Sequence, residues 1–146
     1  MDLRNLFNKN DNGQSFVEFA LVLPILILLV LGIIQFGIVF YGQVTITSAA
    51  REAARMASIG KYQGEIELKI EEIVSKAPFL YVDINDVDVN PTIPYTNTDV
   101  DERVRGEPVK YIIPGKMNIL FPFLGKGSGP PQMDIYGKAT MRFQFY

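Results

Sequence analysis

Hydrophobic and polar positions divide the chain sharply. No residue from Phe19 to Ile34 is polar, and no charge falls between Glu18 and Arg51. Gln35 is the only polar interruption of the run before Tyr41. A helix over residues 19–41 would be about 34 Å long, against about 30 Å of membrane hydrocarbon. The run therefore predicts a transmembrane helix; a core helix would need cover on every side, which the rest of the chain is too short to give. Pro24 lies inside the run, where a membrane helix tolerates proline better than a helix in water. Gly32, Gly37 and Gly42 recur every five residues, which is not the four-residue spacing of a close-packed helix pair. Beyond the run, Ser48 to Ala57 is small and helix-compatible. Ala49, Ala53 and Ala57 form a stripe with Ala50 and Ala54 beside it. That stripe suits either a neighbouring helix or the chain's own domain.

After residue 60 the pattern changes period. Ile66, Ile70, Ile73, Val74 and Ala77 follow helical spacing, with Glu65, Glu67, Lys69, Glu71, Glu72 and Lys76 on the other side, and Pro78 closes the segment. This predicts an amphipathic helix over 61–78 whose charges form a solvated face. Alternation then takes over. Val87 and Val89 alternate with aspartates up to Pro91, and Val109, Tyr111 and Ile113 alternate up to Pro114. The clearest strand is the last, with Met133, Ile135, Gly137, Ala139, Met141, Phe143 and Phe145 on one face. Residues 91–106 predict a loop, and 126–131 a flexible linker. Between them, Phe121 and Phe123 either tuck under the sheet or form an exposed patch for a partner or the bilayer surface. The predicted class is α+β: a long N-terminal transmembrane helix followed by a small helix-on-antiparallel-sheet domain of about three strands. So small a sheet leaves open edges, which a partner strand can complete.

Composition narrows the chemistry. The 146 residues contain no histidine and no cysteine. This excludes imidazole and thiolate metal sites, Ser-His-Asp and Cys-His catalysis, and disulfides. A net charge of −2 gives no basic excess for a nucleic-acid backbone, so no nucleic-acid partner is expected. The aspartates near residue 88 lack the Asp-x-Asp-x-Asp-Gly spacing of a calcium loop. Neither a metal nor a cofactor is expected, and no residue set forms a catalytic constellation. The basic residues flanking the run are nearly balanced, Arg4 and Lys9 before it and Arg51, Arg55 and Lys61 after it, so charge does not fix the orientation. The apolar run exceeds the ~7–15 residues of a secretory signal, and no good cleavage site follows it.

The junction before the run is the most informative stretch: Gly13-Gln14-Ser15-Phe16-Val17-Glu18-Phe19. A carboxylate at the edge of a membrane helix needs a partner. One reading is a capping box, with Ser15 and Glu18 bonding each other's backbone amides at the helix start. The other is a processing site of the type IV prepilin kind: a short polar leader ending in glycine, a cut, then glutamate at the fifth mature position.

The stretch Gly13 through Pro24, Phe36-Gly37 with Tyr41, and Ala49-Ala50-Arg51-Glu52-Ala53-Ala54-Arg55 together resemble the TadE-like proteins of the tight-adherence (Tad) pilus system. The resemblance is strong over residues 13–57 and extends weakly to the Ala139–Arg142 end. It implies a minor pseudopilin, cut after Gly13 by a prepilin peptidase to leave Gln14 first. Glu18, followed by Phe19, would then pair with the N-terminal amine of a neighbouring subunit. Gln14 stands where ordinary type IV pilins have phenylalanine, and the domain is larger than in the very short major pilins of this system. Both departures point away from the main filament subunit.

The organisation implied is a cytoplasmic leader 1–13, a membrane helix and its extension 14–60, and an extracytoplasmic domain 61–146. The implied partners are the membrane, the prepilin peptidase, other pilin or pseudopilin subunits and the assembly platform. The alternative is an unprocessed single-pass protein whose exported domain binds a surface ligand. A carboxylate-pair enzyme would instead require a deep polar cleft in the domain.

Overall fold

The computed structural model describes residues 11–93, 105–119 and 132–144. Residues 1–10, most of the expected loop at 91–106, Phe121, Phe123, the expected linker 126–131 and Phe145 lie outside the described residues. The chain divides into two compact units at Phe36–Gly37. Helix α1, Asp11–Ser58, contributes to both and contains Pro24.

In the first unit, large apolar side chains from Phe16 to Ile34 are exposed around the whole circumference. A helix apolar all round and uncovered by protein is matched to lipid rather than to water.

In the second unit α1 turns amphipathic. Gly42, Thr45, Ile46, Ala49, Ala50, Ala53, Ala54, Ala57 and Ser58 are buried, whereas Phe40, Val44, Ser48, Arg51 and Arg55 are exposed. The alanine stripe therefore packs on the chain's own domain, which decides between the two readings that the sequence left open. The polar groups near this face are satisfied locally. The Thr45 and Thr47 hydroxyls donate to the carbonyls of Tyr41 and Gln43, and Ser58 Oγ donates to that of Arg55. The helix closes with a Schellman motif. Lys61 N–H donates to the Met56 carbonyl at 3.0 Å and Gly60 N–H to that of Ala57 at 3.1 Å. Gly60 takes the left-handed conformation this needs, at φ +90°. The Gln144 amide donates to the Ser58 carbonyl at 2.8 Å, so the last strand's exit also caps the helix.

Helix α2, Gln63–Val74, is shorter than the expected 61–78. Ile66, Ile70 and Val74 are buried as the spacing predicts, Ile73 packs partly buried beside them, and Ala77 is buried in the turn that follows. The helix stops at Val74 because Ser75 to Phe79 form turns that lead to Leu80. The charged face is solvated and paired: Lys61–Glu65 at 2.7 Å, Lys69–Glu72 at 2.6 Å and Lys76–Glu72 at 2.9 Å.

Hydrogen bonds from Lys69 and then Lys76 lower the Glu72 carboxyl from 4.5 to about 2. A depressed carboxyl stabilises the fold above its unfolded value and loses that contribution as pH falls toward the folded one. Glu72→Gln is therefore expected to lower stability slightly near neutral pH, with the gap to wild type closing between pH 4.5 and about 2. Acid unfolding of both proteins at low salt checks this; a gap that stays constant to pH 2 would remove Glu72 as its source.

The expected antiparallel sheet is present and, among the described residues, comprises four strands: β1 Leu80–Tyr81, β2 Asp88–Asn90, β3 Pro108–Asn118 and β4 Gln132–Arg142. All pair antiparallel. β4 runs along the whole of β3, from Pro108↔Arg142 to Asn118↔Gln132. β1 and β2 share β3's other edge, β2 opposite Lys110–Ile112 and β1 opposite Lys116–Met117. A three-strand width is thus filled by four segments. β3 also continues past Pro114, where the sequence reading ended it. Pro114 sits in the gap between the β2 and β1 pairings, a place along the strand that can lack an N–H.

Val109, Tyr111, Ile113 and Met117 of β3, Ile135 of β4, the α1 alanines and the α2 isoleucines form one core. Tyr111 is fully buried, and its hydroxyl donates to Gln63 Oε1 at 2.8 Å. Two glycines let α1 lie close on the sheet. A methyl group at Gly115 would meet Ile46 Cδ1 at 2.6 Å, and one at Gly137 would run into the Ile46 carbonyl. Gly42 faces the Met117 thioether in the same way, while Gly32 and Gly37 have nothing within 4 Å. So the five-residue glycine spacing has no common role. Gln43 Nε2 adds a bond to the Tyr136 carbonyl at 3.0 Å, tying α1 to β4.

Candidate processing and assembly junction

All four residues singled out at the junction lie in the first turns of α1. Gly13, Gln14, Glu18 and Phe19 are exposed. Gln14 and Glu18 stand one turn apart, and Gln14 Nε2 approaches Glu18 Oε1 at 3.4 Å, a long contact on an exposed face. Phe16 and Phe19 flank the carboxylate with exposed rings.

The capping box is not formed. α1 is already helical at Asp11, the first described residue, so Ser15 is inside the helix and its amide falls within the intrahelical ladder. The Ser15–Glu18 spacing reads as a helix start only if the four residues before Ser15 are not helical, and here they are.

Nothing stands within 4 Å of the place a Gly13 side chain would occupy. The junction is therefore reachable from outside.

Among the described residues, the best-defined cleft of the domain holds about 190 Å³ and is lined by Tyr81, Asp83, Asp86, Lys116, Asp134 and Tyr136. That is smaller than the ~300–1,000 Å³ usual for ligand pockets. Among the described residues, no group of three or more carboxylates is placed to hold a metal ion.

Among the described residues one helix, α1, is long and apolar enough to cross a membrane, and it runs on into an α+β unit. The class this fits is a single-pass membrane protein. Residues 13–55 match the family model of TadE-like proteins, over less than a third of the chain. The match begins at Gly13 and ends at Arg55, so it takes in the junction, the apolar run and the alanine stripe as far as Ala54. It supports a membrane protein associated with the Tad pilus. Searches among curated proteins and among solved structures found no match.

The close approach of α1 to β4 at Gly137 escaped the sequence reading. In the alternating pattern Gly137 is one position on the apolar face of the strand. A glycine at the centre of an otherwise well-formed strand is the available signal for a close backbone approach.

Proposed function

We propose that this chain is a minor pilin-like subunit of a Tad pilus. A prepilin peptidase removes residues 1–13 on the cytoplasmic side, leaving Gln14 as the N-terminus. Residues 14–60 anchor the protein in the inner membrane by a single pass. The domain 61–146 faces outward and engages other pilin or pseudopilin subunits and the assembly platform in pilus assembly or adhesion. The chain is a substrate of processing and performs no chemistry of its own.

The observation that carries this reading is the coincidence of the TadE-like match with a junction that starts at Gly13 and exposes Glu18 one turn later. The physical logic is charge neutralisation. A carboxylate at the rim of a lipid-facing helix is costly unless a cation meets it. Cleavage creates such a cation, because the new amine at Gln14 exists only in a processed chain.

Intact mass of the membrane-extracted protein, made with and without a prepilin peptidase, tests the first step. The expected result is a peptidase-dependent loss of about 1.5 kDa, the share of residues 1–13 in 16.4 kDa. A full-length mass in both backgrounds would instead leave a single-pass protein whose exported domain binds a surface ligand.

A further inference from the structure

The second unit begins with the last turn of the apolar run, Gly37 to Tyr41. That turn marks which end of the domain is nearest the bilayer. The Tyr41 hydroxyl reaches the Lys76 carbonyl at 3.4 Å, just beyond the end of α2. Gly42 packs on Met117, which pairs with Leu80 on one side and Met133 on the other. The Asn118 amide donates to the Phe79 carbonyl at 3.0 Å. The turn after α2, the start of β1, the end of β3 and the start of β4 therefore all gather at the level of Tyr41 and Gly42.

Among the described residues, this end carries apolar and aromatic side chains open to solvent. Tyr41, Phe79, Tyr81 and Met133 are all exposed. Phe79 also takes the left-handed conformation, at φ +68°. A large side chain in a conformation suited to glycine, and still open to solvent, is poorly explained by the stability of the domain alone. Lys116 lies opposite Tyr81 on one side and Asp134 on the other, so the patch has no strong net charge to attract an anionic partner.

We infer that this end of the domain rests in the bilayer interface, with Phe79 and Tyr81 inserted at the headgroup–acyl boundary. The occupant is a lipid surface because the patch is continuous with the apolar run's last turn. Aromatic rings favour that boundary, where an apolar body and a polar tip are both accommodated. The contact holds the domain against the membrane at a second point. The inference rests on the reading of α1 as a membrane span.

The chain has no tryptophan, so each introduced one is the sole indole, excited selectively at wavelengths the tyrosines do not absorb. The full chain is reconstituted in phosphatidylcholine vesicles carrying bromine on the acyl chains near the headgroup or deeper. Four variants are compared: Phe79→Trp, Tyr81→Trp, Ile59→Trp and Val30→Trp. Ile59 is the control, since it is exposed to 47% against 46% for Phe79 but lies about 27 Å further along α1 than Tyr41. The expected result is several-fold stronger quenching by shallow bromine at positions 79 and 81 than at 59, with Val30→Trp quenched by deep bromine. Equal quenching at 59, 79 and 81 with Val30→Trp still quenched would overturn the contact and leave the span intact. An unquenched Val30→Trp would overturn the span and the contact together. The Tyr81 variant guards against a Phe79 variant that disturbs its turn.

Discussion

Gly137→Ala is expected to be the most damaging single methyl group that can be added to the sheet. The added carbon would meet the Ile46 carbonyl, whose carbon lies 2.7 Å from the new position. That carbonyl belongs to the backbone of α1 and is held in the helical ladder, so the whole helix must lift from β4. Overpacking costs about 1–3 kcal/mol and occasionally more, and a clash with rigid backbone belongs at the top of that range. A loss near 3 kcal/mol would lower the midpoint of thermal unfolding by roughly 10–20 °C. Gly42→Ala supplies the contrast. Its nearest neighbours are the Met117 sulfur at 2.5 Å and Cε at 2.8 Å, the mobile end of a flexible side chain. Replacing a helical glycine also gains about 1 kcal/mol of helix propensity. Circular dichroism melts in detergent should order Gly137→Ala well below Gly42→Ala; equal midpoints would refute the close approach.

Glu18→Gln carries the largest expected effect on function. Glutamine is nearly isosteric, and its side-chain oxygen can still accept from Gln14 across the 3.4 Å contact. It also leaves Gly13 and Gln14 unchanged, so processing should proceed and the mature mass should appear. Only the negative charge is lost. Removing one partner of a desolvated ion pair typically costs 3–5 kcal/mol, because the other charge is stranded. The fraction recovered in sheared pili or in crosslinked subunit complexes should drop by two orders of magnitude or more. Normal assembly of a processed Glu18→Gln protein would end the pairing role.

The sequence made some parts of this architecture plain and hid others, for identifiable reasons. The membrane run, α2 and the long alternating strand β4 were legible because each is a local periodicity. The alanine stripe was visible, but its partner was not, because small residues permit close packing without saying against what. Pro114 misled about the length of β3, since its effect depends on whether that edge has a partner, and the partners β1 and β2 come from residues 80–90. β1, only Leu80–Tyr81, is too short for any periodicity to reveal. At the junction the resemblance to TadE-like proteins singles out Gly13, Gln14, Glu18 and Phe19, whose roles belong to the proposed function. The capping box was not upheld because it assumed where the helix begins. The pairing partner of Glu18 lies, on the proposed reading, in another copy, which one chain cannot display.

The burial of the alanine face has a directional consequence. Beyond Gly37, the side of α1 that carries Ala49, Ala53 and Ala57 is covered by its own sheet, while Phe40, Val44, Ser48 and Arg51 remain outward. A second helix can reach this segment from one azimuth only. On the proposed reading, lateral association along it would be sided: each copy would offer an open front to a neighbour and a back closed by its own strands. Such a surface cannot grow equally in all directions, and any array built through it inherits a handed order from the fold of a single chain.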